Sequence, residues 1–164
     1  MKRLPLFFVL AVLAAGCATA PPPLYAFDYA PPQRESWHRS YAQGRETSSL
    51  QCVFDDDRTD AQVKIYRDPF HSPSPADALR AYRVVMSRRG FEIPDGSLAV
   101  AKDGTARFPI ADPAHRLKGE VIGIRVPSDR KSVVLIGTWP EENDVAARSG
   151  MRLLASNLFI RAME

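Results

Sequence analysis

Cys52 sits in the run Leu50-Gln51-Cys52-Val53-Phe54, and a thiol of this kind suits redox or nucleophilic chemistry if His38, His71 or His115 serves as its base. The other reading is a small apolar filler of a half-buried strand, the usual role of a buried free cysteine, and the alternation of Leu50, Cys52 and Phe54 favours it. Asp55-Asp56-Asp57-Arg58-Thr59-Asp60 gathers carboxylates of the type calcium takes. The central glycine and distal bidentate glutamate of a calcium loop are missing, so a solvated acidic hairpin tip is the plainer reading. The histidines lack zinc spacing, and the chain contains neither a G-x-S-x-G elbow nor a phosphate-cradling glycine loop. Glu141, Glu142 and Asp144 have acid–base chemistry, but acids in the first turn of a helix follow from its dipole alone. No metal, no cofactor and no enzymatic activity are therefore expected.

Two surface features point to contact with a partner. Arg80, Arg83, Arg88 and Arg89 give one helix a basic side, with Asp77 the acid among them, which reads as a solvated face or as a contact for anionic lipid, glycan or an acidic partner. Trp139, followed by Pro140 at a strand end, is a candidate exposed aromatic contact; its alternative is a lid on the core.

The chain opens with Lys2 and Arg3, an apolar run from Leu4 to Ala15, and then Leu13-Ala14-Ala15-Gly16-Cys17, the layout of a secretory leader too short to span a bilayer. These residues resemble the leader of bacterial lipoproteins, with Leu13 one position further from the cysteine than is usual in that family. A cut after Ala18-Thr19-Ala20 would instead place Pro21 behind the scissile bond, a poor junction. The resemblance implies that residues 1–16 are removed, that Cys17 carries acyl chains such as palmitate, and that the protein stays on a membrane through them. Ala18 follows the cysteine in place of the Asp that in enteric lipoproteins resembles an inner-membrane retention signal, so the resemblance implies the periplasmic face of the outer membrane. If Cys17 were not lipidated, a disulfide to Cys52 would be open to it.

Removing Lys2 and Arg3 from the 22 basic residues leaves one more than the 19 acidic ones, a balance that argues against nucleic-acid binding. Residues 17–33 carry five of the 14 prolines and read as a tether, able to extend about 50 Å at about 3.1 Å per residue in polyproline II. Leu24, Tyr25, Phe27 and Tyr29 do not suit a pure spacer, and dock either on the domain or on a partner.

Residues 34–164 then have the size of one domain. Alternation predicts strands around Cys52 and Ile65, and a further one near Trp37–Tyr41. Ser74-Pro75-Ala76-Asp77 opens a helix that Gly90 stops, and Asp103-Gly104 turns a hairpin between Leu98/Val100 and Phe108/Ile110. Strands follow at Ile122–Val126 and Ser132–Thr138, the latter with an unbroken Val133–Ile136 run expected to be covered on both faces. A last helix has Val145, Met151, Leu154, Ala155 and Leu158 as its apolar face. The order ββαββββα predicts an α+β domain, a mostly antiparallel sheet with two helices packed on a face.

Anchor, tether and compact domain without an active-site motif lead to one expectation: a non-enzymatic lipoprotein of the cell envelope that binds another envelope protein as an accessory or assembly factor. The alternative is a periplasmic module binding a small ligand or glycan in an apolar cavity with a few convergent polar groups.

Overall fold

In a computed structural model, residues 25–29, 36–42, 49–126 and 131–162 are described; Cys17 and the rest of the leader lie outside them. The strands are β1 (Tyr25–Tyr29), β2 (Trp37–Ala42), β3 (Leu50–Asp56), β4 (Ala61–Arg67), β5 (Ala99–Val100), β6 (Ala106–Asp112), β7 (Leu117–Arg125), β8 (Ser132–Pro140) and β9 (Leu158–Ala162). Helix α1 spans Pro75–Arg88 and α2 spans Asp144–Ser156. The class is α+β: β2 to β8 form one antiparallel sheet in the order β2-β3-β4-β8-β7-β6-β5, and β1 pairs with β9 in a separate ribbon.

The helices do not share a face. Val134 and Ile136 of β8 pack with Val121 of β7 and with Leu79, Tyr82 and Met86 of α1, whereas Val133 and Leu135 pack with Ile122 and Ile124 and with Met151 and Leu154 of α2. Side chains alternate along a strand, so the unbroken apolar run of β8 feeds two cores, one under each helix. The expectation of both helices on one face is corrected by that same run. At Gly123 of β7 an added Cβ would lie 3.0 Å from the Pro75 carbonyl oxygen, which shows how closely α1 approaches the sheet.

Local chemistry sets α1. The Ser74 hydroxyl accepts the Asp77 amide at 3.2 Å and donates to the Asp77 carboxylate at 2.6 Å, Pro75 opens the first turn, and Gly90 beyond the end adopts φ +89°. The predicted turn before β6 is present, with Gly104 at φ +84° and the Thr105 amide donating to Asp103 at 2.9 Å.

Three further expectations are corrected. Phe27, assigned to the tether, is buried in the core beneath α2; Arg39 donates to its carbonyl at 3.3 Å, and the Arg67 guanidinium stands 5.8 Å from the centre of its ring. The folded unit thus begins at β1 rather than at residue 34, and docking on the domain is the fate of this aromatic residue. Trp139 is 0% exposed, in phase with Val133, Leu135 and Gly137 on the α2 side, with its indole donating to Asp144 at 2.9 Å. It is a core residue and not an exposed contact. Val145 is 85% exposed, because it stands two residues before the inward-facing Ala147, about 200° away around the helix. Leu158, read as the end of the helix face, belongs to β9 and is buried there.

Candidate functional site

Helix α2 packs over β7 and β8, and β6 lies beyond β7 in the sheet. Along β6, Ala106, Phe108 and Ile110 point into the α1 core, which turns the intervening Arg107 and Pro109 to the opposite side. Pairing of β6 with β7 starts at Ala106↔Gly123, so the last residues of β7, Ile124 and Arg125, run past the β6 edge. Beside them lies a groove of about 540 Å³ between the β5–β6 turn and α2. Its apolar floor comes from Ile122, Ile124 and Leu158, and its rim from Arg107, Arg125 and Arg152, with Asp103 the acidic residue among those that line it.

Each arginine is held differently. Arg152 grips Glu120 on the α2 side of β7 through Nε at 2.9 Å and an Nη at 2.5 Å, and this carboxylate strengthens the hold of the guanidinium on its proton. Arg125 donates to the carbonyl of Pro73, ahead of α1, at 2.5 Å. Arg107 is half-buried and makes no hydrogen bond or ion pair among the described residues. The Asp103 carboxyl lies below its ordinary value, first because the Thr105 amide donates to it, with Arg107 a smaller influence.

The outer side of α2 forms a second surface, where Val145 and Leu153, the latter 43% exposed, stand among Arg148, Ser149 and Arg152. Arg148 reaches back to Asp144 at 2.7 and 2.9 Å. Burial by itself would push the Asp144 carboxyl up, but hydrogen bonds donated by Arg148 and Trp139, and the nearby charges of Arg148 and Lys118, hold it below its ordinary value.

The residues singled out from the sequence are not brought together. Arg80 pairs with Asp77 one turn away, and Arg83 donates to Asp95 at 3.0 Å, pinning the segment after α1; both lie on the α1 side, across the sheet from Trp139. Cys52 is fully buried beneath α2, and burial pushes its thiol up to about 12, while His38, His71 and His115 are all exposed. The geometry therefore fits the filler reading and not a thiol–histidine pair. His115 Nδ1 does meet Asp112 at 2.7 Å, but on an exposed turn away from both surfaces. In the acidic hairpin the carboxylates go separate ways: Asp56 is buried and accepts Thr59 Oγ1 at 2.6 Å, and Asp55 accepts Gln62 at 3.0 Å. Among the described residues no three His, Cys, Asp or Glu side chains cluster to hold a metal.

The groove arginines went unnoticed in the sequence because they come from β6, β7 and α2, far apart in the chain. One signal was available: the phase of Phe108 and Ile110 puts Arg107 on the other face of its strand.

No family model matches this chain, and no curated protein matches its sequence. Among solved structures, the fold is similar to that of LpqN from Mycobacterium tuberculosis, a protein involved in cell envelope biogenesis. The likeness covers 85% of this chain and 86% of that one, with a TM-score of 0.50 and 12% identity, and at that identity it establishes a shared fold.

Proposed function

We propose that this chain is a non-enzymatic accessory protein of the bacterial cell envelope, lipid-anchored at Cys17 on the periplasmic face of the outer membrane, which binds another envelope protein through the outer side of α2. The observation that carries the reading is the exposure of Val145 and Leu153 beside Arg148 and Arg152. Apolar anchors ringed by arginine have the make-up of a protein-binding surface. The fold similarity to LpqN, itself involved in envelope biogenesis, agrees with an envelope role.

Because β1 belongs to the folded unit, only residues 18–24 separate Cys17 from Tyr25. At no more than about 3.6 Å per residue, they hold the start of β1 within about 30 Å of the lipid surface. Such a short connection raises the effective concentration of α2 near a membrane-bound partner.

Affinity capture from intact cells, with the full-length protein beside its Cys17→Ser form, tests this. The expected result is one stoichiometric envelope partner with the anchored form; a chain that is always free and monomeric in gently solubilised membranes contradicts it. Globomycin, which blocks lipoprotein processing, is expected to make the precursor accumulate.

A second reading is favoured by the groove itself, whose apolar floor and polar lining suit a small ligand.

A further inference from the structure

We propose that the partner of α2 docks through an α-helix, seating an apolar ridge of that helix in the hollow on the outer side of α2; this rests on the reading that this side binds an envelope protein. The hollow, of about 540 Å³, is lined by two rows of side chains spaced four residues apart: Val145, Ser149 and Leu153 in one, Asp144, Arg148, Arg152 and Ser156 in the other. Rows at this spacing are the ridges of a helix surface, and the space between two of them is the groove that receives a ridge of a neighbouring helix. From Asp144 to Ser156 the groove runs about 18 Å at about 1.5 Å per residue, the length of about three turns. Ser149 is the small residue halfway between Val145 and Leu153, so a partner axis can come close there.

Charge argues for an apolar ridge. Arg148 is matched by Asp144 and Arg152 by Glu120, so the second row and its partners carry no net charge to attract an acidic segment, and the arginines line the groove with their aliphatic stems. Exposed Val145 and Leu153 supply the other wall. Hydrogen bonding argues for a helix. The backbone of α2 is bonded along its own length, and Ser156 donates its hydroxyl to the Leu153 carbonyl at 2.9 Å. A strand or loop laid here would bury N–H groups against a surface whose carboxylates, Asp144 and Glu120, are already engaged, whereas a helix satisfies its backbone internally. Two copies of α2 packed about a two-fold axis at Ser149 would set serine against serine and leave the middle of the hollow empty, so a second copy is the poorer occupant.

The test places a photoreactive side chain at Val145 or at Leu153 of the full-length chain in intact cells, and maps the adducts on the captured protein by mass spectrometry. Adducts are expected on one segment of one envelope protein, recurring every three or four residues. Capture repeated in gently solubilised membranes is expected to change less than about twofold between about 0.1 M and about 1 M salt. With the photoreactive group at Leu153, Ser149→Leu fills the groove and is expected to cut capture about tenfold, while Ser149→Ala keeps it. Leucine and alanine both suit an exposed helical position better than serine, so neither variant is expected to lower the melting temperature. Adducts at every second residue, or scattered over several loops, overturn the helix and leave the proposed function standing. Undiminished capture by Ser149→Leu overturns the seating in the hollow, and a loss of about tenfold at high salt overturns the apolar ridge. Adducts on lipid, on a second copy of this chain, or on nothing from either position overturn both this inference and the reading beneath it.

Discussion

Glu120 of β7 is 2% exposed and is held by two hydrogen bonds from Arg152 of α2, whose own side chain is 41% exposed. The pair fastens the helix to the sheet at the wall of the arginine groove. Its two ends are not equivalent, since one is buried and the other reaches solvent.

That asymmetry predicts unequal losses. Arg152→Met strands a buried carboxylate and is expected to destabilise the protein by about 3 kcal/mol. Glu120→Gln keeps a hydrogen-bonding group opposite a guanidinium that solvent can reach, and is expected to cost about 1 kcal/mol. Urea denaturation of the two variants, compared at equal m-value, measures the difference.

Two glycines of neighbouring strands predict a second contrast. A Cβ on Gly119 would collide with the carbonyl oxygen of Gly137, which is backbone within the sheet, whereas a Cβ on Gly137 meets the flexible end of Met151 and the Trp139 ring. Gly119→Ala is therefore expected to destabilise by about 3 kcal/mol and Gly137→Ala by less, as read from their melting temperatures.

The Asp144 carboxyl is depressed in the folded state by Arg148 and Trp139, against the push of burial. A group depressed in this way adds stability that is fully present above its ordinary value of 3.8 and is lost as pH falls through the lower folded value. Asp144→Asn is expected to cost about 1 kcal/mol near neutral pH, with the gap to the parent protein closing below about pH 4. A pH series of denaturation midpoints for both proteins checks the sign.

The thiol of Cys52 is both enclosed and pushed up to about 12, chiefly by its burial. In native protein at pH 8 it is expected to resist a thiol reagent, and to react at the rate of global unfolding once denaturant is added. Fast labelling of the folded protein would show an opening beneath α2 that the structure does not contain.

Legibility in the sequence followed the range of each signal. Helix α1 was readable to within a residue or two, because Ser74, Pro75 and Gly90 act locally, and so was the double burial of β8. The β1–β9 ribbon was not, since Tyr25 pairs with Ala162 across almost the whole chain and the prolines around β1 mark a linker in isolation. Trp139 looked like surface beside Pro140, yet its phase with Val133 and Leu135 sends it inward. Val145 failed for the converse reason: the face of α2 is set by Ala147, Met151, Leu154 and Ala155, and an apolar residue out of phase with them is left in solvent. That failure is what exposes the surface on which the proposed function rests.

Site-specific photo-crosslinking in intact cells tests that surface most directly, with the reactive group placed at Leu153 on α2 or at Val84, an exposed apolar residue of α1 on the other side of the sheet. The account predicts one envelope protein captured from Leu153, absent from Val84, and lost when Val145→Asp is added. Capture of the same protein from both positions, or of none from Leu153 in membranes where the anchored chain is present, would contradict it.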